Sequence, residues 1–212
     1  MSALWIVGAG GHGVVVADAA EASGAWSSIA FFDDRVPSVE MEQWLVLGDT
    51  AALHARVSDG APGARIVVAL GDNTRRLELT QVLTQAGAAM ATVIHPFAAV
   101  SPRASLSAGV VVLAGAVVNP RARLGLATIV NTRASVDHDC VIGNGVHLCP
   151  GVTLAGNVTV RDRAWVGIGS CVIQGVTIGR DAIVGAGSAV IRDVGAGAKV
   201  VGCPAKEINR AV

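Results

Sequence analysis

Two runs in this chain of 212 residues hold side chains whose types and spacing could do chemistry. The denser is Val130-Asn131-Thr132-Arg133-Ala134-Ser135-Val136-Asp137-His138-Asp139. A carboxylate orients an imidazole and raises its basicity, which is what a general base needs. Lone surface histidines are usually inert; the flanking acids set His138 apart, and the run leaves open whether Asp137 or Asp139 orients it. Eighteen residues on stands Gly156, in Leu154-Ala155-Gly156-Asn157. A backbone N–H close to a base is the geometry of an oxyanion donor, although a corner glycine would account for the residue equally well. The other run is Gly8-Ala9-Gly10-Gly11-His12-Gly13, with Asp33 twenty residues past Gly13. Glycines between a strand and a helix let the backbone approach a diphosphate at the helix N-terminus. A nucleotide diphosphate is the ligand this pattern suggests, and a plain tight turn is the alternative. His12 could reach a phosphate or simply close the loop. Asp33 and Asp34 could accept from ribose or base donors, or solvate a strand end. Asp72, Asn73 and Arg76 sit at a third strand end.

The elements that must position these residues differ on the two sides of residue 93. From Ile94 to Val190 every sixth residue is a branched aliphatic, seventeen in succession, and the residue four places later is always small or Val. This is the pattern of a solenoid of short parallel strands, each hexad burying its first and fifth residues and turning a corner where Gly or Asn can take a positive φ. Three hexads close a triangular coil, so residues eighteen apart stack at roughly 5 Å and the prism stands about 27 Å tall. Gly156 then falls one rung above His138, whose third place in its hexad points it outward. His147, sixth in its hexad, could face the same groove. The spacing fixes a parallel β-helix and leaves its hand open.

Residues 1–93 alternate instead. Apolar strands are expected over 3–8, 28–32 and 65–70, and helices over 14–23 and 74–86. Such alternation indicates a small α/β domain with a parallel sheet, whose ligands bind at the carboxyl ends of the strands. Gly8, Asp33 and Asp72 all fall there. Apolar residues make up 52% of the chain, charged residues 15% and aromatics only 3%, so aliphatic and small side chains must fill the core. Sixteen basic residues balance sixteen acidic ones, which argues against a nucleic-acid partner or a polyanionic membrane surface. No apolar run reaches the roughly 18 residues of a membrane span, and the N-terminus lacks a signal-peptide pattern. The four cysteines form no Cys-x-x-Cys pair and read as buried free thiols in a reducing cytoplasm.

Taken together, IVGAGGHG at the start, FFDD, ALGDN followed by Arg, VIHP at 93–96, VNT with DHD, CPGVTLAGNV and the terminal VGCPAK resemble the PglD-like hexapeptide-repeat sugar acetyltransferases over nearly the whole chain. The resemblance implies a Rossmann-like domain over 1–93 that holds a nucleotide-sugar, and a left-handed parallel β-helix over 94–212 that trimerises and binds acetyl-CoA between chains. It places the base on His138, its acid on Asp139 (often Glu in the family) and the carbonyl's backbone donor on Gly156. The nucleotide-sugar falls to Gly10, Gly11, His12, Asp33 and Asp34. Acetyl-CoA falls to Asn131, His147 and Gly156, and to Gly202, Pro204 and Lys206 in the terminal segment. The expected activity is acetyl transfer to the amine of a nucleotide-linked 4-amino-deoxy-sugar in bacterial surface glycan synthesis, by a cytoplasmic homotrimer that needs no metal. Residues 109–118, which carry no charge, offer the trimer an apolar patch. O-acetylation of sialic acid or a related sugar is the alternative, and a non-catalytic sugar-binding scaffold the lesser one. A nicotinamide oxidoreductase would leave the hexads unexplained. A zinc β-helix enzyme would have only His95, His138 and His147 to work with, without a close-spaced pair.

Overall fold

A computed structural model describes residues 1–38, 43–60 and 64–208. The chain forms two compact units, Met1–Pro96 and Phe97–Val212.

In the first unit β1 (Ser2–Val7), β2 (Trp26–Phe32), β3 (Leu45–Val46) and β4 (Ala64–Val68) form one parallel sheet in the order β3-β2-β1-β4. The helices are α1 (Gly11–Ser23), α2 (Thr50–Ser58) and α3 (Asn73–Gln85). Leu4, Ile6, Val16, Ala20, Phe31, Phe32 and Leu53 are fully buried, which is the packing that holds sheet and helices together. α1 begins three residues earlier than the sequence suggests, so His12 and Gly13 lie in its first turn. The early start needs Gly13: a Cβ there would fall 1.9 Å from the Gly8 carbonyl oxygen. β3 and α2 lie in a stretch where the sequence reading places no element. Their signal was Asp49, an N-cap whose carboxylate accepts from Ala52 N–H at 2.8 Å, followed by the good helix formers of TAALHAR.

The second unit is a parallel β-helix of two-residue strands. Ser135 pairs with Thr153 and Thr153 with Cys171, an offset of eighteen repeated on all three faces. First and fifth residues of the hexads face in, and from Val110 to Val190 they are all buried. The fourth position is left-handed in every hexad from Gly109 to Gly187, whether occupied by Gly, Asn, Asp, Arg or Ala. Polar residues at the fifth position are tolerated because each finds a carbonyl: Thr128 donates to Gly143, Cys140 to Ala155 and Ser170 to Gly185, all fifteen residues on, while Ser188 donates back to Gly185. After Val190 the repeat lapses. Ile183 pairs with Lys199 at an offset of sixteen, and the chain then reverses so that Lys206–Glu207 runs antiparallel to Lys199–Val201.

Two expectations are corrected. Within residues 109–118, Val110, Val111, Val112, Leu113, Ala116 and Val118 are already buried in the single chain, so this stretch is no exposed patch. Cys140 and Cys149 are buried thiols, but Cys171 and Cys203 are exposed, because Cys171 takes the outward sixth place of its hexad and Cys203 sits in the terminal turn.

Candidate active site

His138 lies at a corner of the β-helix, after the strand Ser135–Val136. Its Nδ1 is 2.7 Å from Asp139 Oδ2. A carboxylate can only accept, so Nδ1 carries the proton and Nε2 keeps its lone pair for a base's work. Asp139 takes the left-handed fourth position, φ 61°, which turns its carboxylate back toward the preceding side chain. One coil earlier Arg121 grips the same carboxylate with Nε at 2.6 Å and Nη2 at 2.7 Å. Arg121, and then His138, hold the Asp139 carboxyl well below the usual range. Asp137 does a different job: its Oδ1 accepts the His138 backbone N–H at 2.7 Å and the Asn119 side-chain amide at 2.8 Å. The structure thus gives the ring to Asp139 and the backbone to Asp137.

Gly156 stands against the other side of the imidazole. A Cβ on it would lie 2.6 Å from His138 Cε1 and 2.7 Å from Nε2, so only glycine allows this approach. Its carbonyl accepts from Gly175 N–H, and its own N–H donates to no group among the described residues. A basic nitrogen and a backbone donor thus share one corner of the solenoid. Arg121 and Asn119 are the residues that the sequence reading passed over; both lie eighteen before an acid of the cluster.

Asn131 and His147 are brought together elsewhere, on an adjacent face. Asn131 Nδ2 lies 3.0 Å from His147 Nε2, and the imidazole packs edge-on to Trp165 at 4.4 Å between centroids. His147 is buried rather than open to solvent. Gly202, Pro204 and Lys206 are exposed and line the terminal reversal. Burial pushes the Cys149 thiol up to about 12 and raises Cys140 as well, so neither supplies a thiolate near neutral pH. Among the described residues no cluster of three or more His, Cys, Asp or Glu could hold a metal ion.

The first unit carries a cavity of about 770 Å³ at the carboxyl ends of β1, β2 and β4, lined by Gly8, Gly10, Gly11, His12, Asp33 and Asp34 among others. Gly10 is the N-cap of α1 and makes no side-chain cap, which leaves helix N–H groups directed at the cavity. Asp33 departs from the role of a ribose acceptor. Its buried carboxylate accepts from Ala9 N–H at 2.7 Å and from the Arg35 guanidinium at 2.8 Å, tying the glycine turn to the end of β2. Arg35 holds its carboxyl well below the usual range. Asp34 accepts from the Thr50 N–H and hydroxyl at the start of α2. Burial, reinforced by the nearby Arg76 cation, pushes the His12 imidazole down to about 4. It is neutral at pH 7. Asp72 caps α3 through Arg75 N–H, and the buried Arg76 binds the Leu70 carbonyl and Asn73.

Both units have counterparts in known proteins. The PglD N-terminal domain family matches residues 3–83. The acetyltransferase domain of PglB from Neisseria gonorrhoeae FA1090, solved in complex with acetyl coenzyme A, is 38% identical with a TM-score of 0.93, over 98% of this chain and 99% of that one. The chain belongs to the PglD-like sugar acetyltransferase family. PerB from Caulobacter crescentus, solved with CoA and GDP-perosamine, is 40% identical with a TM-score of 0.91, over 99% of this chain and 98% of that one. A GDP-perosamine N-acetyltransferase of Escherichia coli O157:H7 is 27% identical over 220 residues, 99% of this chain and 98% of its own. This PglD-like chain has the family's architecture throughout: a Rossmann-like N-terminal unit and a left-handed parallel β-helix of hexapeptide repeats.

Proposed function

We propose that this chain transfers the acetyl group of acetyl-CoA to the amino group of a nucleotide-linked 4-amino-deoxy-sugar. Residues 1–93 would hold the nucleotide-sugar, and residues 94–212 would carry the transfer. The observation that carries the reading is the corner where His138 is held by Asp139 on Nδ1 and faces Gly156 with Nε2. The neutral sugar amine attacks the thioester carbonyl carbon, and a C–N bond forms. His138 Nε2 takes the proton that the nitrogen must lose. The Gly156 N–H stabilises the oxyanion of the tetrahedral intermediate, a contribution of about 3–4 kcal/mol for one such donor. The carbon–sulfur bond then breaks, and the CoA thiolate leaves with a proton returned from the imidazole. General-base help of this kind contributes ~10²–10⁴-fold. No covalent enzyme intermediate is needed, in keeping with the raised thiols of Cys140 and Cys149.

In this reading Gly10, Gly11 and His12 meet the diphosphate. Asp33 and Asp34 act mainly by fixing the turn and the start of α2. Asn131, His147, Gly202, Pro204 and Lys206 contact acetyl-CoA in a homotrimer whose sites lie between chains. The four free thiols suit the reducing cytoplasm in which such a reaction would run. No helix among the described residues is long and apolar enough to cross a membrane. The test is a thiol-release assay with acetyl-CoA over a panel of nucleotide-linked 4-amino-sugars. Release that depends on one amino-sugar, with an N-acetyl product by mass spectrometry, is expected. No release with any member, or an acetyl group on oxygen, would contradict the assignment.

A further inference from the structure

Arg75, Glu78, Leu79 and Val82 fall at i, i+3, i+4 and i+7 of α3, and all four line the 770 Å³ cavity. One face of the helix therefore forms one wall. Of the other walls, the glycine turn at the head of α1 suits phosphates, and the carboxylates at the end of β2 are already engaged by the chain itself. The α3 wall remains for the base. Leu79 is half-buried and Val82 is 48% exposed, and with Leu70 they offer the cavity apolar surface on which a flat ring can lie.

We propose that Glu78 and Arg75 select the base of the nucleotide and that the base is guanine; the proposal rests on the reading of this cavity as the nucleotide-sugar site. Three carboxylates line the cavity. Asp33 is committed to Ala9 and Arg35, and Asp34 to Thr50. Glu78 is exposed on the cavity wall, and its carboxylate makes no hydrogen bond or ion pair among the described residues. The same is true of the Arg75 guanidinium, although opposite charges at i and i+3 are placed to pair.

A carboxylate is an acceptor only. Guanine presents N1–H and the N2 amino group side by side, so both carboxylate oxygens are used. Uracil and thymine present one imide N–H between two carbonyl oxygens; a carboxylate there gains one hydrogen bond and faces two like-charged lone-pair sites. Adenine presents an unprotonated N1 on the same edge. Arg75, one turn back on the helix, supplies donors that match guanine O6 and N7.

Calorimetric titration of the full chain with GDP, UDP and dTDP tests this. GDP is expected to bind about tenfold to a hundredfold more tightly than UDP or dTDP, the discrimination of one bidentate contact. In Glu78→Gln, GDP affinity should fall by roughly tenfold or more while UDP affinity changes little, with melting temperature unchanged because Glu78 is exposed. Arg75→Met should weaken GDP in the same selective way. UDP or dTDP binding more tightly than GDP would overturn guanine, as would an undiminished GDP preference in Glu78→Gln. Failure of all three nucleotides to bind would instead overturn the reading of the cavity, and the proposal with it.

Discussion

Asp139 reaches its neighbour's imidazole from a left-handed backbone that aspartate tolerates better than most residues. Its carboxylate is shared: one oxygen takes His138 Nδ1, and both take the Arg121 guanidinium. The cation competes with the imidazole for a single negative charge. Arg121→Met should therefore leave the imidazole an undivided anion and displace the acid limb of kcat/KM to higher pH. The melting temperature should barely move, since exposed ion pairs hold little stability. A pH–rate profile superimposable on the wild type would contradict a positioning role for Arg121. That residue is legible in the sequence by the rule that links His138 to Gly156, taken eighteen residues in the other direction. The state of His12 is not legible, because it depends on how completely α1 and the Arg76 cation enclose the ring. Its imidazole falls from 6.5 to about 4 on folding. The unfolded chain thus binds a proton that the folded chain resists. The stabilisation is complete above pH 6.5 and is lost as pH falls through about 4. Denaturant melts across that range should show a loss of up to about 3 kcal/mol that His12→Gln removes. An acid slope unchanged in the variant would contradict this.

The two glycines that open α1 serve different ends, and the elements around them say which. Gly13 packs helix against strand, with no room for a Cβ beside the Gly8 carbonyl; Gly11 has nothing within 4 Å of a Cβ and lines the cavity. Gly13→Ala should lower the melting temperature of the N-terminal unit. Gly11→Val should leave it folded and raise the KM of the nucleotide-sugar far more than that of acetyl-CoA. Equal effects of Gly11→Val on both KM values would contradict nucleotide binding by this unit. Both glycines belong to one sequence pattern, and only packing separates their roles. The β-helix was legible because its period is exact: from Val110 to Val190 the first and fifth places of each hexad are buried, and from Gly109 to Gly187 the fourth is left-handed. β3 was not legible, since an isolated two-residue strand has no period, and α2 was marked only by its N-cap Asp49, because its sequence carries one fully buried side chain, Leu53, and so no apolar stripe.

For the whole molecule, trimer formation draws little on residues 109–118, whose larger apolar side chains the single chain already mostly buries. Exposed apolar groups instead lie later in the β-helix, where Ile173 and Ile191 stack eighteen apart, with Ile168 nearby in sequence. Covering such groups is favourable, and sedimentation equilibrium is expected to return three chains per particle; a stable monomer at working concentration would contradict sites shared between chains. The central claim is that acetyl transfer runs through His138 as base, and His138→Ala tests it most directly. The side chain is half exposed and contributes little core, so the oligomer and its melting temperature should be retained. Steady-state kinetics should then give a kcat lower by about 10²–10⁴-fold, with modest change in either KM, and a pH profile without its enzyme-derived limb. A folded His138→Ala enzyme retaining more than about a third of wild-type kcat, well outside that range, would contradict the account.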